Sequence, residues 1–250
     1  MKVIAINGVT HSGKTTLCQT IIGGLRKRGY TVGSVKEIHF EQFRIDPMPN
    51  SNTLKHREAG AQRVTARGVH ETDILYQEML PIDEILQHYD HDFVILEGVS
   101  DCNVPRILTA LSEKEVEEAM DDRAVLVSGV LANTAGETVC GLPVINALEE
   151  PDRLVNFVID YAFEPMPHFD PKCCTACGHS CRELTGLICQ GKAKREDCVL
   201  SKQKVELLLN GKPVPMVPFV QNVMKNTVMA VAKELDGVSG GGEIEVRFRV

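Results

Sequence analysis

The nine residues from Gly8 to Thr16 (Gly-Val-Thr-His-Ser-Gly-Lys-Thr-Thr) constrain this chain more than any other stretch. They fit the pattern of a glycine, four free positions, then Gly-Lys-Thr, the P-loop signature. The flanks suit it. Lys2 to Ile6 is a short apolar run expected to form a buried strand, and Thr15 to Arg28 reads as a helix. A strand, a glycine loop and a helix N-terminus make an anion cradle, because backbone N–H groups of the loop and first helical turn aim at phosphate oxygens. Gly8 and Gly13 allow backbone angles and a close approach that a Cβ would block. Lys14 is expected to reach the β- and γ-phosphates, and the Thr15 hydroxyl to hold Mg²⁺. His11 and Ser12 join the cradle with Thr16; His11 contributes backbone only.

Around this loop the chain alternates strands and helices. A second strand is expected at Thr31–Ile38, then a helix from about Thr53 to Arg67 with Asn52 or Thr53 as its cap. Further expectations are a strand at Val69–Tyr76 and a short helix at Pro81–His88. Phe93 to Leu96 is a continuous apolar run ending in Glu97-Gly98, as in a central parallel strand buried on both faces. Strands follow at Arg106–Ala110, Ala124–Val130 and Pro143–Ile145, and a helix at Asp152–Ala162. Alternation of this kind predicts an α/β fold, a doubly wound, mostly parallel P-loop NTPase sheet. Glu97, at the C-terminal end of a central strand, suits the carboxylate that acts on Mg²⁺ or its water. With Lys14 it forms the expected catalytic pair; Asp101 is the weaker alternative. His39, Asp46, Asn52 and His56 lie on the ligand edge of such a sheet, and Arg57 and Arg63 follow them.

The whole chain has 250 residues, 43% hydrophobic and 24% charged. No apolar run is long enough to span a membrane. The N-terminus enters a strand without the regions of a signal peptide, so a cytoplasmic protein is expected. A net charge of −7 argues against non-specific nucleic-acid binding. The charge is uneven: residues 1–165 carry 15 basic against 25 acidic side chains, residues 166–250 carry 12 against 9. That shift, with the prolines between Glu164 and His168, predicts a domain boundary. The expected division is a nucleotide-binding domain at 1–165, a cysteine-rich module at 166–202 and a small α+β tail at 203–250.

Several stretches together resemble the MobB family, the GTP-binding adaptor proteins of molybdopterin-guanine dinucleotide biosynthesis. They are Gly8–Leu17, Lys36 with His39, Asn52-Thr53 with His56 to Ala61, Glu97-Gly98, and Pro105 to Ile107. The resemblance covers about residues 1–165. It implies a homodimer that binds GTP with Mg²⁺, hydrolyses it slowly and assists the molybdenum cofactor guanylyltransferase. It further implies phosphate and metal contacts from Gly13, Lys14, Thr15 and Thr16, with Glu97 as the acid near the metal. The chain departs from the family where Asn52-Thr53 replaces Asp-Ser and where Glu41-Gln42 follows His39 and Phe40 without a second histidine. No N-K-x-D guanine signature is present; Ala132-Asn133-Thr134 is the candidate base site.

Six of the nine cysteines fall between Cys173 and Cys198. In a cytosolic nucleotide-binding protein a metal site is favoured over disulfides. Cys174, Cys177 and Cys181 form a tight trio, and Cys198 is a remote fourth ligand beyond a helix expected at Glu183–Ala193. This spacing suits a 4Fe-4S cluster, with zinc as the alternative and Cys173 able to replace Cys174. It resembles the four-cysteine iron–sulfur domain of electron-transfer and corrinoid proteins. Cys189 lies within the apolar helix and reads as a buried thiol. In the tail, a hairpin at Val205–Leu209 and Pro213–Val217 turns at Asn210-Gly211. A helix at Phe219–Leu235 and a strand at Ile244–Val250 complete a docking or dimerisation unit.

Three functions fit these residues. The first is a GTP-binding adaptor in molybdenum-cofactor maturation with an iron–sulfur module, serving the guanylyltransferase and a molybdoenzyme or its chaperone. The second is an ATP-dependent electron-transfer or metallocluster-maturation factor with a nucleotide-gated cluster. The third is a zinc-stabilised scaffold that binds nucleotide without turnover.

Overall fold

The computed structural model describes residues 1–40, 43, 51–166, 177–202, 205, 207–209, 212–214, 216, 218–235, 244 and 246. In chain order the elements are β1 (Lys2–Gly8), α1 (Lys14–Lys27), β2 (Val32–Lys36), α2 (Asn52–Glu58), β3 (Arg63–Arg67), β4 (Thr72–Tyr76) and α3 (Ile82–Leu86). There follow β5 (Phe93–Glu97), β6 (Arg106–Thr109), α4 (Glu113–Ala119), β7 (Ala124–Ser128), β8 (Thr138–Val139), β9 (Leu142–Pro143) and α5 (Pro151–Tyr161). Then come α6 (Cys181–Cys189), β10 (Leu208–Leu209), β11 (Lys212–Pro213) and α7 (Pro218–Lys233).

The chain forms two compact units: Met1–His168 with Cys181–Ala193, and Phe169–Ser180 with Lys194–Val250. At the heart of the first is a five-stranded sheet in the order β2-β5-β1-β6-β7, parallel at every pairing. The period-two pleat explains why these strands are apolar throughout. Ile4, Ile6, Ile95 and Ile107 face one side and pack on Leu17, Ile21 and Leu25 of α1 and Leu154, Val155 and Val158 of α5. Val3, Ala5, Val94 and Leu96 face the other and meet Ile82 and Leu86 of α3. Each fully buried leucine or isoleucine stabilises the unit by about 1.5–3 kcal/mol relative to exposure. The sheet is therefore covered on both faces, as the alternating sequence predicts. Its chain order, stepping outward in both directions from β1, puts the topological switch point at the end of β1, where the glycine loop begins.

The expected helix from Thr53 to Arg67 is a correction. α2 stops at Glu58, and Gly60, at φ +100°, turns the chain into the antiparallel pair β3–β4. Val64 and Leu75 pair across it and are buried, so β-branched alternation wins over helical continuation here. The strand expected from Val69 begins only at Thr72; Val69 itself is exposed. The cap of α2 is Ser51, whose Oγ accepts the Leu54 N–H at 3.0 Å, one residue before the expected caps. Pro81 caps α3 rather than opening its first turn. α4 was not anticipated, although Ser112 and Glu115 carry the S-x-x-E signal. Ser112 accepts the Glu115 N–H and the Glu115 carboxylate accepts the Leu111 N–H. The strand expected at Pro143–Ile145 is reduced to β9 and a single parallel bridge between Val144 and Val127.

The chain stays on the first unit beyond α5. Phe163 bridges Val3, and the buried Met166 donates its N–H to the Asn103 carbonyl. α6 also belongs to this unit, beginning at Cys181 and ending at Cys189, short of the Ala193 expected. Leu184 and Thr185 are buried, and Gly186 lies so close to Asp122 that a Cβ would collide with it. In the second unit β10 and β11 pair antiparallel, and Gln221 at the start of α7 donates to the Met216 carbonyl at 2.8 Å. The turn at Asn210-Gly211 and all of the terminal strand but Ile244 and Val246 lie outside the described residues. Along α7 and just past its end, Val220, Val223, Val231 and Leu235 are exposed. Among the described residues no helix is long and apolar enough to cross a membrane.

Candidate nucleotide site

β1 ends in the glycine loop and α1 begins at its far side. Gly13 is the N-cap residue of α1 in left-handed conformation, φ +96°. His11 is also left-handed, at φ +63°, a conformation a non-glycine residue holds at a cost of about 1–3 kcal/mol. Turns of this kind aim successive N–H groups into one concavity. The first turn of α1 contains no acidic residue and no side chain caps its free N–H groups. Its positive dipole end therefore faces the loop uncompensated, the arrangement that attracts an anion.

The loop is braced from below. Ser12 is fully buried; its hydroxyl lies 2.7 Å from the Val9 carbonyl and 2.7 Å from the Thr109 hydroxyl. Its carbonyl accepts the Val130 N–H at 3.0 Å. Gly129, at φ +78°, has no room for a Cβ against the Ser12 carbonyl, so the end of β7 packs directly on the loop. Ser12 thus serves the cradle by holding its shape, with its side chain directed away from the mouth. Thr15 and Thr16 are exposed at that mouth. Lys14 folds its ammonium over it, donating to the Gly8 carbonyl at 2.9 Å and the Val9 carbonyl at 2.6 Å.

Glu97 closes the site. Parallel pairing sets it beside Ile6 of β1 on one side and Lys36 of β2 on the other. Only 8% of the residue is exposed. Its Oε1 accepts the Thr15 hydroxyl at 2.8 Å and the Lys36 ammonium at 2.6 Å. The Cys18 thiol lies one turn along α1, within reach of that carboxylate's charge. Burial pushes the Glu97 carboxyl up, but the Lys36 ammonium and the Thr15 hydroxyl outweigh it and hold it below the usual carboxylate range. The Cys18 thiol is pushed up to about 12 by burial and by the Glu97 charge. A hydroxyl and an ionised carboxylate in contact beside a phosphate cradle are the hard oxygen donors Mg²⁺ takes, and the residues fit that ion.

Other expected site residues lie elsewhere. Asp101 lines a neighbouring cavity of about 430 Å³ together with Lys36, Glu37 and His39, leaving Glu97 as the acid at Thr15. His39 is exposed, with Nδ1 3.7 Å from the Glu37 carboxylate. Arg57 donates to the Gln77 side chain at 2.8 Å and Arg63 stacks over the Tyr76 ring, so both brace the β3–β4 hairpin. His56 is exposed on α2, and Asp46 lies outside the described residues. Asn133 sits on a 3-10 turn after β7 and accepts the Asn146 amide at 3.1 Å. Reading residues one by one missed the role of Lys36, because its partner is set by strand register.

Among the described residues no three His, Cys, Asp or Glu side chains come together as a metal group. Cys173 and Cys174 lie outside those residues. Cys198 is buried; Cys177 and Cys181 are partly exposed. Cys189, expected as a buried thiol, is partly buried, and burial and the Asp121 charge push its thiol up to about 12.

The family model described as molybdopterin guanine dinucleotide synthesis protein B matches residues 3–130. A protein of Methanocaldococcus jannaschii, named a putative molybdopterin-guanine dinucleotide biosynthesis adapter protein, is 26% identical over 258 aligned positions, covering 100% of this chain and 98% of its own. An adapter protein of that biosynthesis from Haemophilus influenzae is 26% identical over 136 positions, 52% of this chain and 74% of its own. The crystal structure of Bacillus subtilis MobB superposes with a TM-score of 0.52 at 17% identity, covering 65% of this chain and 99% of that one. The archaeal alignment thus extends through the cysteine region and tail, and the two bacterial ones span little beyond half to two thirds of the chain.

Proposed function

This chain belongs to the MobB family, and on that premise we propose that it is an adapter in molybdopterin guanine dinucleotide biosynthesis that binds GTP with Mg²⁺. One observation carries the nucleotide part: the Thr15 hydroxyl and the Glu97 carboxylate meet at 2.8 Å beside a left-handed glycine loop and an uncapped helix start. In this reading the loop N–H groups and Lys14 hold the phosphates. Thr15 and Glu97 hold the metal, which when bound neutralises phosphate charge. Glu97, kept ionised, orients the hydrolytic water, and turnover is slow. The partner is the guanylyltransferase that builds the dinucleotide, with a molybdoenzyme or its chaperone downstream, and the working form is a homodimer.

The test is equilibrium binding of GTP against ATP with Mg²⁺. GTP is expected to bind at least about tenfold tighter, a difference of about 1.4 kcal/mol. Preference for ATP overturns the guanine assignment and favours a nucleotide-gated maturation factor.

For the cysteine region we propose a 4Fe-4S cluster on Cys174, Cys177, Cys181 and Cys198, a reading supported by spacing alone. Protein purified without oxygen is expected to carry about four iron and four sulfide per chain. Stoichiometric zinc without iron replaces it with the structural-zinc alternative.

A further inference from the structure

The nucleotide reading leaves one close contact unused, the ion pair between Lys36 and Glu97. Its two partners are unlike in setting. The Glu97 side chain is 11% exposed, whereas that of Lys36 is 56% exposed. β2 is the edge of the sheet, so the lysine stem is fixed by pairing while its head has water beside it. A carboxylate taken out of water needs a compensating charge. Lys36 supplies it at 2.6 Å, on the same oxygen, Oε1, that accepts the Thr15 hydroxyl. A divalent ion held by Thr15 and Glu97 would carry two positive charges to that oxygen, and two cations within a few ångströms on a buried carboxylate repel strongly.

From this geometry we infer that Lys36 is the resident counter-ion of Glu97, displaced when a metal–nucleotide complex loads. It is a positioning residue acting through Glu97. Without metal it keeps the carboxylate ionised and turned toward Thr15, so the metal donors are pre-set. On loading it gives up its place, and the 430 Å³ cavity that it lines beside Glu37, His39 and Asp101 gives the ammonium somewhere to go. Metal affinity is therefore set low by a cation that must first leave, and loading changes the charge on the wall of a neighbouring cavity. The inference rests on the nucleotide reading above.

The experiment titrates Mn²⁺ into wild-type, Lys36→Gln and Lys36→Arg proteins at saturating GTP, followed by electron paramagnetic resonance of free Mn²⁺. Thermal melts with and without Mn²⁺·GTP run alongside. In Lys36→Gln the competitor is gone, and half-saturation is expected at about tenfold lower Mn²⁺. The metal-free protein melts lower than wild type, because Glu97 has lost its partner, and the rise in melting temperature on loading is larger. Lys36→Arg keeps the charge and titrates like wild type. Unchanged or weaker Mn²⁺ binding in Lys36→Gln, with wild type binding Mn²⁺·GTP normally, overturns the counter-ion role and leaves the nucleotide reading intact. Equal shifts in both variants overturn it too, since geometry rather than charge would then govern. A wild type that binds no Mn²⁺·GTP overturns the nucleotide reading itself, and this inference with it.

Discussion

Lys14→Ala is expected to lower GTP affinity by roughly a hundredfold, because a charge-assisted contact to two phosphates is worth about 2–5 kcal/mol when truncated. The ammonium already lies over the loop, held by the Gly8 and Val9 carbonyls, so no rearrangement of the backbone is needed for it to meet an anion. Removing it leaves the rest of the cradle in place. The brace beneath the loop is made by Ser12, Thr109 and Val130, none of which touches the lysine head. The melting temperature without nucleotide should therefore stay close to that of wild type, and calorimetric titration with GTP·Mg²⁺ reads the loss directly. Affinity within twofold of wild type would remove the phosphate assignment.

Asp121→Asn should be the most destabilising single change of charge in the first unit. Asp121 Oδ2 accepts from Arg106 at 2.6 Å, Arg123 at 2.8 Å and Arg182 of α6 at 3.1 Å. The Arg123 side chain is only 3% exposed and that of Arg106 11%. Taking away the carboxylate charge leaves two guanidiniums buried side by side, at a cost of about 3–5 kcal/mol. For a protein of this size that is on the order of 10 °C in melting temperature. Burial raises the Asp121 carboxyl, but the hydrogen bonds and charge of Arg123 and the charge of Arg106 outweigh it and hold it below the ordinary range. A carboxyl depressed in the folded state contributes stability above its unfolded pKa, near 3.9, and loses it as pH falls through the folded value. Wild type should thus shed part of its stability in that acid window, and Asp121→Asn should lack that component. Arg182→Ala, which removes only an exposed arm, is expected to cost about 1 kcal/mol or less. Equal melting temperatures for wild type and Asp121→Asn would show that the network carries no net stability.

What the sequence made legible was local. The glycine loop, the apolar strands and Glu97 each announce themselves in a few adjacent residues, and the structure sets them together at the switch point of the sheet. Contacts fixed by strand pairing were not legible. Lys36 meets Glu97 because β2 runs beside β5 in one register, and nothing near position 36 encodes that. Arg106, part of the family-like stretch Pro105 to Ile107, stands at the opposite end of its strand from the loop; its Nε donates to the Asn7 side chain and its charge meets Asp121. The hairpin at β3–β4 was hidden because Thr53 to Arg67 carries enough helical residues to mask the stop at Gly60. α4 was overlooked despite a readable cap, since its highly charged body offers a single buried side chain, Val116.

The parallel sheet sets a timetable for synthesis. β1 emerges well before β5 and β6 and has no partner until its register mate arrives: Lys2 meets Phe93 and Ile6 meets Ile107. At roughly 5–20 residues per second, the run from Val3 to Ile6 waits on the order of 5–20 s before either neighbouring strand exists. During that interval an unpaired, fully apolar strand stays open on the nascent chain, where chaperones bind and wrong pairings begin. The glycine loop, whose floor includes Thr109 and Val130, takes shape later still, so the site is completed only once the end of β7 has been made.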